Sequence, residues 1–424
     1  MKNTPRSIGR RRPSRAAGFS LIEVMVSVAI MTVIMGATMT ALSQAMKANE
    51  TAVLVTSMNS TLRTGMDLMI RDMLQVGSGL PPGHYVLIPS GSGTRINMPG
   101  PPGTAYKSVL GDTDLNAVNP GTGLGPLVNQ VAPTACTVIS STCVATDMIT
   151  TLAADSTFTH VPLIARAADG TSITVMLKGL DNIAGTADDI NIGAGPDRVG
   201  PGQLIMLEKG SYAILVQVTS VDAVSGVISF AKNADSLNLN VHDAPSGSMG
   251  SPCGALGCAV QPATGLTGAA PSPDTALPFP QTVPPTTFLN TVATRIRMIS
   301  YYIDNTDLLH PKLVRRINNG NQTTFDNLSG STVASDIDNM KISYDLADGV
   351  NNWAGVTFTN ADLAGTVGGR CLPAACSVNQ IRKVNITLRA RSRSPFSATK
   401  QYFRNTLTTQ VSLRGMAFVN EYVQ

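Results

Sequence analysis

Charge is scarce in this chain. Only 14% of its 424 residues are Asp, Glu, Lys or Arg, well under the usual quarter. Acid is missing altogether from Met1 to Gly18, where Lys2, Arg6, Arg10, Arg11, Arg12 and Arg15 stand. Those six cations exceed the formal net charge of +4 and leave the rest of the chain at −2. So neutral a remainder gives no electrostatic footprint for nucleic acid, and no such partner is expected. Aromatics reach only 4%, with one Trp, Trp353, in an Asn/Thr-rich run over 351–364. A carbohydrate-stacking surface is not indicated. Signatures of catalysis are also missing: there is no H-E-x-x-H, no G-x-S-x-G and no P-loop. Ser397-Ala398-Thr399-Lys400 fits S-x-x-K without the companion S-D-N and K-T-G motifs. His84, His160, His242 and His310 are scattered, and His242-Asp243 has no identifiable nucleophile. The expectation is a protein that is not an enzyme.

Proline is absent between Pro13 and Pro81, and glycine occurs there only at Gly18, Gly36, Gly65, Gly77 and Gly79. This predicts one helix from about Phe19 to Val76, roughly 87 Å long. Its first half, residues 19–42, holds 24 residues with a single charge, Glu23. Such a helix spans about 36 Å, enough for a bilayer core of about 30 Å. The arginine-rich side stays in the cytoplasm and the remaining chain is sent outward, a single-pass inner-membrane arrangement with a periplasmic head. An ordinary signal peptide is cut after its apolar core; here the small residue, Gly18, precedes the core. A rival cut at Ala41-Leu42-Ser43 would discard the segment and make Gln44 the first residue.

Gly18, Phe19 and Glu23, set between a basic leader and an apolar run, resemble the prepilin signature of type IV pilins and type II secretion pseudopilins. The resemblance implies cleavage after Gly18 by a prepilin peptidase, N-methylation of Phe19, and Glu23 as the assembly glutamate. A carboxylate among apolar helices is costly without a partner, and the freed amine of Phe19 on a neighbouring subunit would supply one. The alternative is a glutamate near a helix end, snorkelling to the interface. The segment TLRTGMDLMIRDMLQVG over 61–77 is similar to the helix end of PilW-type minor pilins. The order YYIDNTDLLHPKLVRRIN, DIDNMKISYDL, IRKVNITLRARS and a terminal strand resembles that family too. What this implies is a minor pilin made in the inner membrane, in contact with lipid, an assembly platform and other pilin subunits, and later exposed on a pilus. A J-type minor pseudopilin of type II secretion shares the signature. A membrane-anchored or secreted enzyme or adhesin, using the apolar segment only as anchor or signal, is the reading from another class.

Beyond the apolar run the helix turns amphipathic. Leu54, Met58, Leu62, Met66, Met69 and Met73 form a stripe at helical spacing, with Arg63, Asp67, Arg71 and Asp72 expected largely on other faces. Residues 80–144 are Pro/Gly/Asn/Thr-rich and read as an extended surface connection. Strands are expected over 160–167, 172–178, 203–208, 212–221, 227–231, 292–303, 313–318, 340–346, 381–391 and 403–413. Within 381–391, Val384, Ile386, Leu388 and Ala390 alternate with polar residues, as a sheet with one wet and one packed face requires. The fold class is therefore α+β and pilin-like: the second half of the long helix covers an antiparallel sheet, with a large β/loop insertion. The division is leader 1–18, filament-core half 19–43, amphipathic half 44–77, loop-rich β-module 78–243, Pro/Gly-rich mobile loop 244–290, and C-terminal sheet 291–424.

Six cysteines fall into three close pairs, Cys136 with Cys143, Cys253 with Cys258, and Cys371 with Cys376. In an exported chain these suggest disulfides, although six cysteines allow 15 pairings. Zinc competes poorly, since no histidine lies nearby in sequence. Asp181, Asp188 and Asp189 crowd a glycine turn as calcium ligands would, but the spacing is not that of an EF-hand. A solvated acidic turn is the competing reading, and no other cofactor is expected.

Overall fold

The computed structural model describes residues 18–80, 85–87, 114–129, 135–136, 138, 140, 143–158, 160–166, 171–178, 184–187, 189–209, 212–231, 237, 239–240, 292–318, 331–347, 357–363 and 380–416. The long helix, α1, runs Leu21–Met73. Phe19 lies ahead of its N-cap Ser20, and the chain leaves through tighter turns to Gly77 and Gly79, both with positive φ. A left-handed backbone there suits glycine, which has no Cβ to clash.

Eighteen strands follow among the described residues. They are β1 (Tyr85–Leu87), β2 (Asp114–Asn116), β3 (Val118–Asn129), β4 (Ala135–Cys136), β5 (Cys143–Ala154), β6 (Val161–Arg166), β7 (Ser172–Val175), β8 (Leu204–Lys209) and β9 (Tyr212–Gln217). Next come β10 (Ser220–Asp222), β11 (Val227–Ser229), β12 (Val292–Asp304), β13 (Lys312–Ile317), β14 (Ser331–Ser335), β15 (Ile337–Leu346), β16 (Phe358–Thr359), β17 (Ile381–Arg391) and β18 (Arg404–Ser412). A short helix, α2 (Asn360–Leu363), separates β16 from β17.

These strands form two sheets. The smaller has the order β16-β15-β17-β18, all antiparallel. The larger is organised on β12, which pairs with β5, β6, β8 and β13. Strands on either side of the 244–290 segment therefore share one set of ladder hydrogen bonds. The class is α+β, with α1 packing on antiparallel sheets.

The alternation read in β17 sets the helix–sheet core. Val384, Ile386, Leu388 and Ala390 point inward and are fully buried. They meet Met58, Leu62, Met66, Met69 and Met73 of α1 in one cluster with Leu313, Ala334, Met340 and Tyr344. Gly65 brings the helix close: a Cβ there would lie 3.1 Å from Leu313 and 3.2 Å from Ala334. Two further clusters lie within the β-rich body, around Leu152, Leu204, Leu215 and Met298 and around Ile173, Val216, Ile228 and Phe230.

Three expectations are corrected. Asp72 does not stay on an outer face: it is 6% exposed, because it lies three residues past Met69 and so shares that face. Residues 114–129 are not a surface connection. They form β2 and β3, with Ala117 and Val118 fully buried. Pro120, Pro126 and three glycines disguise β3, and register shifts between Thr122 and Leu124 and between Leu124 and Val128 accommodate them; bulged strands tolerate such residues. Finally, β5, Cys143–Ala154, occupies a stretch where no strand is expected, and its polar Asp147, Thr150 and Thr151 lie inside. All three are buried with partners: Thr150 bonds Ser300 at 2.6 Å, Thr151 donates to the Ile299 carbonyl, and Asp147 accepts from the Ile342 amide.

Candidate functional site

The N-terminal turn of α1 is closed by a reciprocal cap. The Ser20 hydroxyl accepts from the Glu23 amide at 3.3 Å, and the Glu23 carboxylate accepts from the Ser20 amide at 3.4 Å. Such a box satisfies two backbone donors that a helix start otherwise leaves open. The negative charge also sits at the positive end of the helix dipole. Glu23 is thus fixed one turn from Phe19, which is 78% exposed, and a Cβ on Gly18 would meet nothing within 4 Å. The sequence already held this cap as Ser20 followed three residues later by Glu23, a spacing that the apolar run overshadowed.

From Leu21 to Asn49 every residue is exposed. The apolar window in this half has a mean hydropathy of 2.1 and none of it is buried in the fold. Its hydroxyls turn inward: Ser27 donates to the Val24 carbonyl, Thr32 to Val28 and Ala29, Thr38 to Met35 and Thr40 to Gly36, all within 2.8–2.9 Å. With these groups satisfied within the helix, the outer surface from Leu21 to Leu42 is hydrocarbon, and Glu23 is the lone charge on it. The projecting part is about 44 Å long at 1.5 Å per residue. A fold does not leave so much apolar surface in water; it marks a membrane or protein contact.

Where the helix meets the head, Glu50 takes two hydrogen bonds from Ser397, from its amide at 3.1 Å and its hydroxyl at 2.5 Å. This explains the S-x-x-K match: Ser397 fastens the β17–β18 turn to α1, and Lys400 is exposed. His160 bonds Thr294 at 2.7 Å and His310 bonds Asp336 at 2.9 Å. His84 and His242 lie outside the described residues, as do Trp353, Cys253, Cys258, Cys371 and Cys376. Cys143 is disulfide-bonded and opens β5; Cys136 lies in β4. Asp189 accepts from the Gly185 amide at 2.5 Å and the Thr186 hydroxyl at 3.4 Å, closing the acidic turn. Asp181 and Asp188 lie outside the described residues. Among the described residues no three His, Cys, Asp or Glu side chains gather as metal ligands would.

The head hangs on a polar junction that the sequence did not reveal. At the far end of α1, Asp72 is bonded by Tyr301 and Arg315. Burial alone would lower the Arg315 pKa, but the Asp72 carboxylate and Tyr301 together outweigh it and raise it. Near β15, burial pushes the Asp147 carboxyl up, against the Ile342 amide and Lys341, which pull it down.

Residues 13–39 match the prokaryotic N-terminal methylation motif. No curated protein and no solved structure gives a significant match to the chain. The motif covers Gly18, Phe19 and Glu23 and implies processing by a prepilin peptidase and assembly with other pilins in general. Together with the projecting apolar helix, it supports a type IV pilin-like, membrane-anchored structural subunit of pilin or pseudopilin type.

Proposed function

We propose that the chain is a minor pilin of the PilW type. It is made as a prepilin in the inner membrane with its head in the periplasm, cut after Gly18 and methylated on Phe19. It then joins a type IV pilus or the tip complex that initiates one. Its work is assembly: residues 19–43 leave lipid and pack among the helices of neighbouring subunits, while the β-rich head faces outward. The carrying observation is the exposed apolar half of α1 with one carboxylate, held by Ser20 a turn from Phe19. In a packed bundle that carboxylate requires a cation, and the amine of Phe19 on an adjacent subunit is of the right charge and depth. The bulky, irregular head suits a subunit present in small numbers.

The mature N-terminus tests the reading. Mass spectrometry of the purified protein is expected to show N-methylated Phe19 as the first residue. A chain beginning at Gln44, or one retaining the arginine-rich leader in assembled filaments, would overturn it.

A further inference from the structure

The turn joining β17 to β18 has an unusual composition. From Arg391 to Arg404 the chain reads RSRSPFSATKQYFR, with four Lys or Arg, three aromatic residues and no acid. Two of these cations are engaged within the head. Arg391 is buried, lies 5.0 Å from the Tyr402 ring and donates to the Leu308 carbonyl. Arg404 pairs with Asp338 at 3.1 Å. Arg393 and Lys400 are exposed at the tip, where Phe396 packs on Phe403 with ring centres 5.3 Å apart. The adjoining β12–β13 turn carries Asp304 and Asp307, but these carboxylates cap their own backbone at Thr306 and Leu309, and Asp336 meets His310.

The position of this tip along α1 is fixed. Ser397 holds Glu50 through two hydrogen bonds, and Asn405 holds Asn59 at 2.7 Å. Between Glu23 and Glu50 the helix has no acid and one base, Lys47. Glu50 stands eight residues past Leu42, about 12 Å beyond the end of the apolar run. Headgroups occupy roughly the first 5–7 Å of that distance. The remaining gap is shorter than the Debye length of about 8 Å, and Lys47 is almost a turn closer. Anionic headgroups attract basic side chains within this range, by up to about fivefold for each one that reaches the surface.

We propose that the β17–β18 turn is a foot that rests on the membrane before assembly, with Lys47, Arg393 and Lys400 contacting anionic lipid headgroups. The foot fixes the head's tilt relative to the bilayer, so that neighbouring subunits present their helices at a common depth. This inference rests on the reading that residues 19–42 span the bilayer.

The test uses the full-length chain reconstituted in vesicles of phosphatidylcholine, alone or mixed with phosphatidylglycerol. A fluorescent amino acid is placed at Ala398, and in a second preparation at Ile30. Nitroxide lipids, labelled on the headgroup or within the acyl chain, serve as quenchers. Headgroup quenching at position 398 is expected in the anionic mixture, much weaker in phosphatidylcholine alone, and abolished by Arg393→Glu with Lys400→Glu. If position 30 is quenched from the acyl chains while 398 is untouched in both lipids, the foot is refuted and the spanning reading stands. If position 30 is not quenched, the spanning reading fails and takes the foot with it. Quenching at 398 that ignores lipid charge or the paired substitution, or that follows protein density instead, also overturns the proposal.

Discussion

The Asp72 carboxylate, on the last turn of α1, accepts a 2.5 Å hydrogen bond from the Tyr301 hydroxyl of β12. Arg315 of β13 reaches the same carboxylate through two nitrogens, at 2.6 and 3.2 Å. This buried cluster ties the end of the long helix to the strand around which the larger sheet is organised. Any pull along the helix reaches the head partly through it. Asp72→Ala would leave Arg315 and the Tyr301 hydroxyl without their acceptor, and truncating one partner of a buried pair costs about 3–5 kcal/mol. Tyr301→Phe removes one hydrogen bond from a charged acceptor and is expected to cost about 1.5–3 kcal/mol. Chemical denaturation of the full-length protein in detergent, followed by near-ultraviolet circular dichroism, measures both.

Glu23 has two separable tasks, closing the helix and carrying charge. Glu23→Gln keeps an oxygen that accepts from the Ser20 amide, so the helix start is expected to survive, while the charge is lost. Glu23→Val removes both. Both variants should insert in the membrane, and both should be recovered in sheared filaments at a tenth or less of the wild-type yield, since about 1.4 kcal/mol of lost pairing is already tenfold. Recovery of the Gln variant at wild-type levels would assign Glu23 to capping alone.

Gly415 follows β18 where the chain returns to the end of α1. A Cβ there would lie 2.2 Å from the Val76 carbonyl oxygen and 2.9 Å from backbone atoms of Gly77 and Ser78. Backbone cannot swing aside as a side-chain tip can, so Gly415→Ala is expected to destabilise the head by about 1–3 kcal/mol or more. Thermal unfolding against wild type checks this. Gly36→Ala, with open space around it, is the control and should leave the melting temperature of the head unchanged.

Asp155 sets an acid limit on the β-rich body. Burial would raise its pKa, but hydrogen bonds from Thr157 and Arg295 outweigh burial and bring it down to about 2. The unfolded chain would titrate near the ordinary value of about 3.9. Because the folded pKa is the lower one, the stabilisation is present above about pH 4 and is lost as pH falls through about 2. With solvent screening allowed for, the Asp155 contribution is on the order of 1–2 kcal/mol. Unfolding free energy measured between pH 5 and pH 2 should fall less steeply in Asp155→Asn than in wild type.

Much of the molecule follows from local patterns. The apolar run, the basic leader and the Gly18-Phe19 junction are contiguous, and contiguous signals can be read without knowing what packs where. The methionine stripe and the alternation of β17 are periodic, and they locate the buried faces of helix and sheet because side-chain direction repeats every 3.6 or 2 residues. Tertiary structure decided the rest. Asp72 reads as a surface acid until Tyr301 and Arg315, 229 and 243 positions away, arrive to bond it. β5 falls where no strand is expected, and its Thr150 and Asp147 are satisfied by Ser300 and Ile342, far along the chain. A polar side chain goes inside when partners distant in sequence replace its water, and no window along the chain contains both.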